Sequence, residues 1–169
     1  MKFFYHFTGD TLRNRDPIPP IGKWLVFHGK LVACSSGLHA SEDPFDALQY
    51  APGPILHRVR LGKKRISHGE PVDKWVSNYR KIVASINAEE LLRKFACRVA
   101  LDVLPLWPDA PAVVKTFLET RDEKLRAAAW TAAGAAAGDA AGDAARAAAG
   151  AKYRKWFGEM VQTKFNKSS

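Results

Sequence analysis

Residues 127–151 are mostly alanine, broken at intervals by Gly134, Gly138, Gly142 and Gly150, and this stretch limits what the rest of the chain can build. Alanine has the highest helix propensity but brings little apolar area. Such a segment makes helix and no core of its own. Apolar residues reach 47% of the chain, yet the bulky core formers (Phe, Trp, Leu, Ile, Val) fall mostly within the first ~120 residues. The chain therefore reads as α+β, with a β-rich N-terminal domain (1–86), a helical segment packing on it (87–119) and a long Ala/Gly-rich helix with a basic aromatic end (120–169). Asp139, Asp143 and Arg146 oppose membrane insertion of the alanine run. Met1–Tyr5 passes into polar residues with no apolar signal core, so the expectation is a cytosolic protein with no membrane partner.

Along the N-terminal part, Lys2–Thr8 is β-prone and stops at the turn signal Gly9-Asp10. Trp24–Phe27 and Lys30–Ala33 flank His28-Gly29 as a hairpin would. Residues 35–41 read as a small-residue loop or short strand. Asp43 and Pro44 then open a helix that Pro52-Gly53-Pro54 ends. Ile55–Leu61 predicts a strand, Lys63-Lys64-Arg65 a basic turn and Lys81–Ile86 a further strand. Asn87 with Glu90, and Thr120 with Glu123, are capping boxes that open helices toward Leu104 and Lys164; a short helix over 112–119 lies between them.

Three pieces of the first 60 residues bear on chemistry. His6 and Thr8 stand two apart on a strand and so share a face. The segment Gly37-Leu38-His39-Ala40-Ser41 follows, and then Ala47–Ala51, a short helix ending in Tyr50. A histidine beside a threonine could orient a ribose, and a tyrosine at a helix end offers an aromatic platform. On these residues the chain resembles the ADP-ribosyltransferase-like fold. The resemblance implies an NAD site in which His6 bonds the nicotinamide ribose and Tyr50 stacks on the nicotinamide as the catalytic pair. Thr8, Gly37, His39 and Ser41 would line the cofactor, with Arg80 on a phosphate. The family's catalytic glutamate has no match on a strand here; Glu70 and Asp73 are the acids that could stand in for it. The arrangement His-Phe-Thr, Ser-Gly-Leu-His-Ala-Ser and Ala-Leu-Gln-Tyr-Ala-Pro-Gly, followed by Ala-rich sequence, also looks like an uncharacterised phage and prophage protein family. That family is defined by sequence and brings no known activity; a phage chain with the nucleotide site above would modify or bind a host macromolecule in the cytoplasm of the host cell.

A net charge of +9 favours polyanionic partners. A second reading is therefore non-enzymatic: a phage interaction protein that binds nucleic acid or an acidic host protein, for example to inhibit host defence. Lys152, Arg154, Lys155 and Trp156 interleave cations with an aromatic, as phosphate-and-base binding requires. The same residues also suit a helix end that docks Trp156 and Phe157 on a core. Gly134, Gly138 and Gly142 would either form a seam for homo-oligomers or reflect drift in an Ala-rich repeat. Cys34 and Cys97 are too far apart for a metal knuckle, and Cys34 as a nucleophile would need a base that the sequence does not reveal.

Overall fold

The computed structural model describes residues 2–136 and 143–168, with side chains over 2–133 and 150–168. The proposed Gly138 and Gly142 seam, and the side of the helix at Gly134, lie outside the described residues. The chain is mixed α/β and divides into two compact units. The first runs to Glu89 and resumes at Phe157; the second is Glu90–Trp156.

The first unit holds two antiparallel sheets. Strands β1 (Phe4–Thr8), β2 (Trp24–Val26), β4 (Ile55–Leu61) and β7 (Tyr79–Asn87) form one, in the order β1-β4-β7-β2. Strands β3 (Leu38–Ala40), β5 (Arg65–His68) and β6 (Lys74–Ser77) form the other, in the order β3-β6-β5. Backbone bonds between Tyr5 and Ser41, at 2.7 and 2.9 Å, tie the sheets together. Helix α1 (Pro44–Leu48) has the expected Asp43 cap, whose carboxylate accepts from the Phe45 N–H at 2.7 Å.

Pairing register explains the division of faces. Phe4, His6 and Thr8 point one way, with His57 and Val59 opposite His6 and Phe4. Here Phe4, Ala40, Val59 and Ile82 make a buried cluster with Ile18, Leu61 and Trp75 around it. Phe7, Leu56 and Ile86 are register partners on the opposite face, and all three are buried. Phe157, Val161 and Phe165, at helical spacing on α5 (Asp143–Lys167), are buried in the same unit. Phe157 meets Phe45 edge-on, with ring centroids 6.2 Å apart. Gln162 donates to the Tyr5 hydroxyl at 2.6 Å, and the Arg58 guanidinium lies 4.3 Å from the Phe165 ring centre. The C-terminal segment, read from sequence as part of a separate 120–169 element, thus completes the N-terminal unit from Phe157 onward.

The structure differs from sequence expectation in three places. Trp24–Val26 pairs with β7 rather than with residues 30–33, where only a Val32–Ser36 bridge forms. Strands β5 and β6 occupy a region that basic and polar residues make illegible by pattern. Thr120 ends α3 (Ala112–Thr120) rather than opening the next helix, because Arg121 turns left-handed at φ 57°. The carboxylate of Asp122 then caps α4 (Glu123–Ala136), accepting from the Lys124 N–H at 3.0 Å. Asn87 caps α2 (Glu89–Val103) as expected, accepting from the Glu89 N–H at 2.9 Å.

In the second unit Cys97, Val114, Leu118 and Ala129 are buried together. Among the described residues no helix is long and apolar enough to cross a membrane.

Gly37 precedes β3 with φ +120°, and a Cβ there would lie 2.5 Å from Val76 Cγ1. Both constraints oppose any side chain. Gly37→Ala is expected to cost about 2–4 kcal/mol through backbone strain and overpacking, measured as a lowered denaturant midpoint with an unchanged slope.

Candidate functional site

A cleft of about 720 Å³ opens on the inner face of β1, bounded by β2, the loop before β3, Tyr50 and the start of β6. His6, Thr8, Gly37, His39, Tyr50 and Arg80 all line it, so six residues singled out in the sequence meet on one surface. Ser41 does not line it. That residue is buried and its backbone is committed to Tyr5, because β1 uses it as the link between the sheets. At Gly37 the missing side chain makes room for Val76.

Strand pairing places His57 directly across from His6, with near-parallel rings 6.4 Å apart. His57 is buried and bonded at both ring nitrogens: Nε2 lies 2.8 Å from the Thr8 hydroxyl and Nδ1 lies 2.7 Å from the Ser85 hydroxyl. The Thr8 hydroxyl donates to the Gly9 carbonyl at 2.9 Å, and a hydroxyl has only one proton. His57 Nε2 must therefore donate to Thr8, and Nδ1 accepts from Ser85. This chain of bonds holds His57 neutral and Thr8 in place. Burial first, and then the charge of Arg80, pull His57 down to about 4. The same two causes, followed by the neighbouring histidines and Arg13, hold His6 well below the usual histidine range.

Two cations dominate the cleft. Arg80 is 7% exposed, and its Nη1 donates to the His39 carbonyl at 2.7 Å. Burial lowers its pKa to about 10, so it stays charged at neutral pH. Lys74 is 5% exposed; its Nζ donates to Cys34 Sγ at 3.1 Å and stands 3.8 Å from the centre of the Tyr50 ring. Among the described residues neither cation has a carboxylate within ion-pair distance. His39 is lowered by burial and then by Lys74 and Arg80, and its Nε2 is buried with no partner among the described residues.

The Tyr50 hydroxyl donates to Asp73 Oδ2, and this bond pushes the phenol up to about 12. Burial opposes ionisation of Asp73, but the bonds from Tyr50 and His68 outweigh it and hold the carboxyl below its ordinary value. Of the two acids offered in place of a glutamate, Asp73 is therefore drawn to Tyr50. Asp16 is the carboxylate that lines the cleft, and it is bonded to Asn14 at 2.6 Å. Among the described residues no three His, Cys, Asp or Glu side chains converge as a metal site.

The basic aromatic segment belongs to the second unit up to Trp156. Lys152 and the Tyr153 hydroxyl both bond Asp102. The Trp156 ring lies 3.8 Å from the Arg98 guanidinium and 4.8 Å from Lys152 Nζ. Arg154 is half-buried and Lys155 is exposed. Sequence reading missed Lys74, Arg13 and His68, and gave His57 no part in a nucleotide site. His57 shows only as a strand residue until β1 is paired with β4, and Lys74 lies in the stretch without periodic pattern.

This site, a cleft between two antiparallel sheets, lies wholly within residues 2–94, which match a domain of unknown function (DUF7666). The match spans just over half of the chain, and the chain belongs to that family. No curated protein and no solved structure matches it.

Proposed function

We propose that the cleft binds NAD or another ADP-ribose-bearing nucleotide, as the resemblance to ADP-ribosyltransferases implies. The observation that carries this reading is the pair of buried cations, Lys74 and Arg80, facing the cleft without carboxylate partners. A buried charge left unpaired is costly, and an anionic ligand relieves that cost. A pyrophosphate supplies the anion, accepting from Arg80 through its forked donors. Neutral His6 and the fixed Thr8 are then placed for a ribose, and Tyr50 offers ring area at the cleft wall. The cationic surroundings favour the diphosphate end of the ligand over a positively charged nicotinamide. Transfer to an acceptor would proceed without a glutamate beside His6, and the likeness to phage proteins supports a host macromolecule in the cytoplasm as that acceptor.

Calorimetric titration of ADP-ribose and of NAD tests the reading. Saturable binding is expected, weakened tenfold or more in Arg80→Met and in Lys74→Met, the loss of about 1.5–3 kcal/mol typical of a charged hydrogen bond. Arg80→Met should keep the stability of the unliganded protein, since the methionine removes a buried charge. No saturable heat from either ligand at millimolar concentration would overturn the proposal.

The second reading, nucleic acid or an acidic host protein held by Lys152, Arg154, Lys155 and Trp156, rests on the net charge. The engagement of Lys152 with Asp102 and the cations over Trp156 make this patch a weaker stacking platform. Binding of single-stranded DNA that falls steeply with added salt would support it.

A further inference from the structure

Beside the nucleotide-binding face, a second group of side chains meets at the edge of the cleft. His68 closes β5, Asp73 directly precedes β6 and Lys74 opens it, and Cys34 arrives on the loop before β3 with a left-handed φ of 63°. Cys34 Sγ lies 3.4 Å from His68 Nε2, and His68 Nδ1 lies 3.4 Å from Asp73 Oδ1. Asp73 accepts a further bond from Tyr50, and Lys74 donates to Cys34 Sγ at 3.1 Å. Gly69, at φ +88°, leaves open the space beside the carboxylate; a Cβ there would stand 2.5 Å from Asp73 Oδ1. Sequence alone could not supply this grouping, because its members are separated by up to forty positions.

These are the parts of an activated nucleophile: a thiol, a base within reach of its proton and an acid that orients the base. An ionised Asp73 accepts from Nδ1–H of His68, which leaves the Nε2 lone pair directed at the Cys34 thiol. Lys74 supplies positive charge to the thiolate as the proton leaves. Cys34 is exposed and lines the cleft together with Lys74, so an electrophile reaches it from solvent.

We propose that Cys34, His68 and Asp73 form a nucleophilic cysteine centre that accepts an acyl group from an acyl phosphate. The class follows from charge: Lys74, which touches the sulfur, and Arg80 deeper in the cleft favour a leaving group that departs as an anion. The Cys34 sulfur attacks the carbonyl carbon as His68 takes the thiol proton. The bond from the carbonyl carbon to the phosphate oxygen breaks, and phosphate leaves with that electron pair and the proton from His68. Water then attacks the thioester, giving its proton to His68. The product leaves as a carboxylic acid that loses its remaining proton to solvent, and the thiol is restored by return of a proton from His68. Thiol, acyl phosphate and water become thiol, carboxylate, phosphate and one proton released to solvent, with no change in oxidation state.

Acetyl phosphate is the probe, used with the full chain. Release of phosphate is expected, together with one acetyl group on Cys34 by peptide mass mapping. Cys34→Ser should remove the labelling, and His68→Ala and Asp73→Asn should slow it at least tenfold at neutral pH. Iodoacetamide labelling of Cys34 should slow in the same order, with buried Cys97 as the internal reference. His68 lies outside the nucleotide face, so His68→Ala should leave ADP-ribose affinity unchanged and keep the two proposals separate. Should a His68 variant fail to fold, the comparison of wild type with Cys34→Ser decides. Equal phosphate release by these two proteins, or labelling of Cys34 that ignores His68→Ala in folded protein, would overturn the centre.

Discussion

Phe157→Ala is expected to destabilise the first unit by about 3–5 kcal/mol, the range for removing a buried phenylalanine from a core. Phe157 is fully buried and packs edge-on against Phe45 of α1, so both apolar area and an aromatic contact are lost. Marginal stability of about 5–15 kcal/mol makes this a large fraction of the total. The effect should be read in the N-terminal half: denaturant unfolding monitored at Trp24 and Trp75 should shift to a lower midpoint. Lys155→Ala, exposed two positions earlier, is the matched control and should change stability by less than about 0.5 kcal/mol. Equal midpoints for Phe157→Ala and the control would mean that this helix end does not serve the core.

The second large effect is a dependence of stability on pH. His57 titrates at about 4 in the folded chain, against 6.5 ordinarily. Above pH 6.5 both folded and unfolded forms are neutral at this ring, and the stability is present in full. As pH falls below 6.5 the unfolded ring takes up a proton that the folded ring refuses, so stability declines until the folded ring titrates near 4. The gap is worth about 3 kcal/mol, and lowered His6 and His39 act in the same direction. Chemical denaturation between pH 7.5 and 4 should show this decline, with a shallower slope in His57→Gln. Arg80→Met should also flatten it, because the guanidinium is the second cause of the displacement. A variant as steep as the wild type would exclude His57 as a source.

What could be read in the sequence was local. The α1 cap at Asp43, the shared face of His6 and Thr8, and the helix opened by Asn87 depend on residues within a few positions of one another. The meeting of the cleft's histidines and cations depends on strand order. Placing His57 across from His6 needs the pairing of β1 with β4, and delivering Arg80 to His39 needs β7 of one sheet to face β3 of the other. Lys74 and His68 sit on strands whose alternation is masked by charged and small residues, so no period marks them. Ser41 carried a motif-like signal, but its burial serves the join between sheets. Phe157 was legible as an apolar residue on a helix, while the surface that receives it was not.

The return of α5 to the first unit also sets an order of events during synthesis. The strand face that carries Tyr5 and Arg58 is made early, but the residues of α5 that meet it, Gln162 and Phe165, follow only after residues 90–156. At roughly 5–20 residues per second, that sheet face waits several seconds on the ribosome without its lid. A nascent chain of this kind offers a bare apolar surface to chaperones until α5 emerges, and fragments ending near residue 94 should aggregate rather than fold.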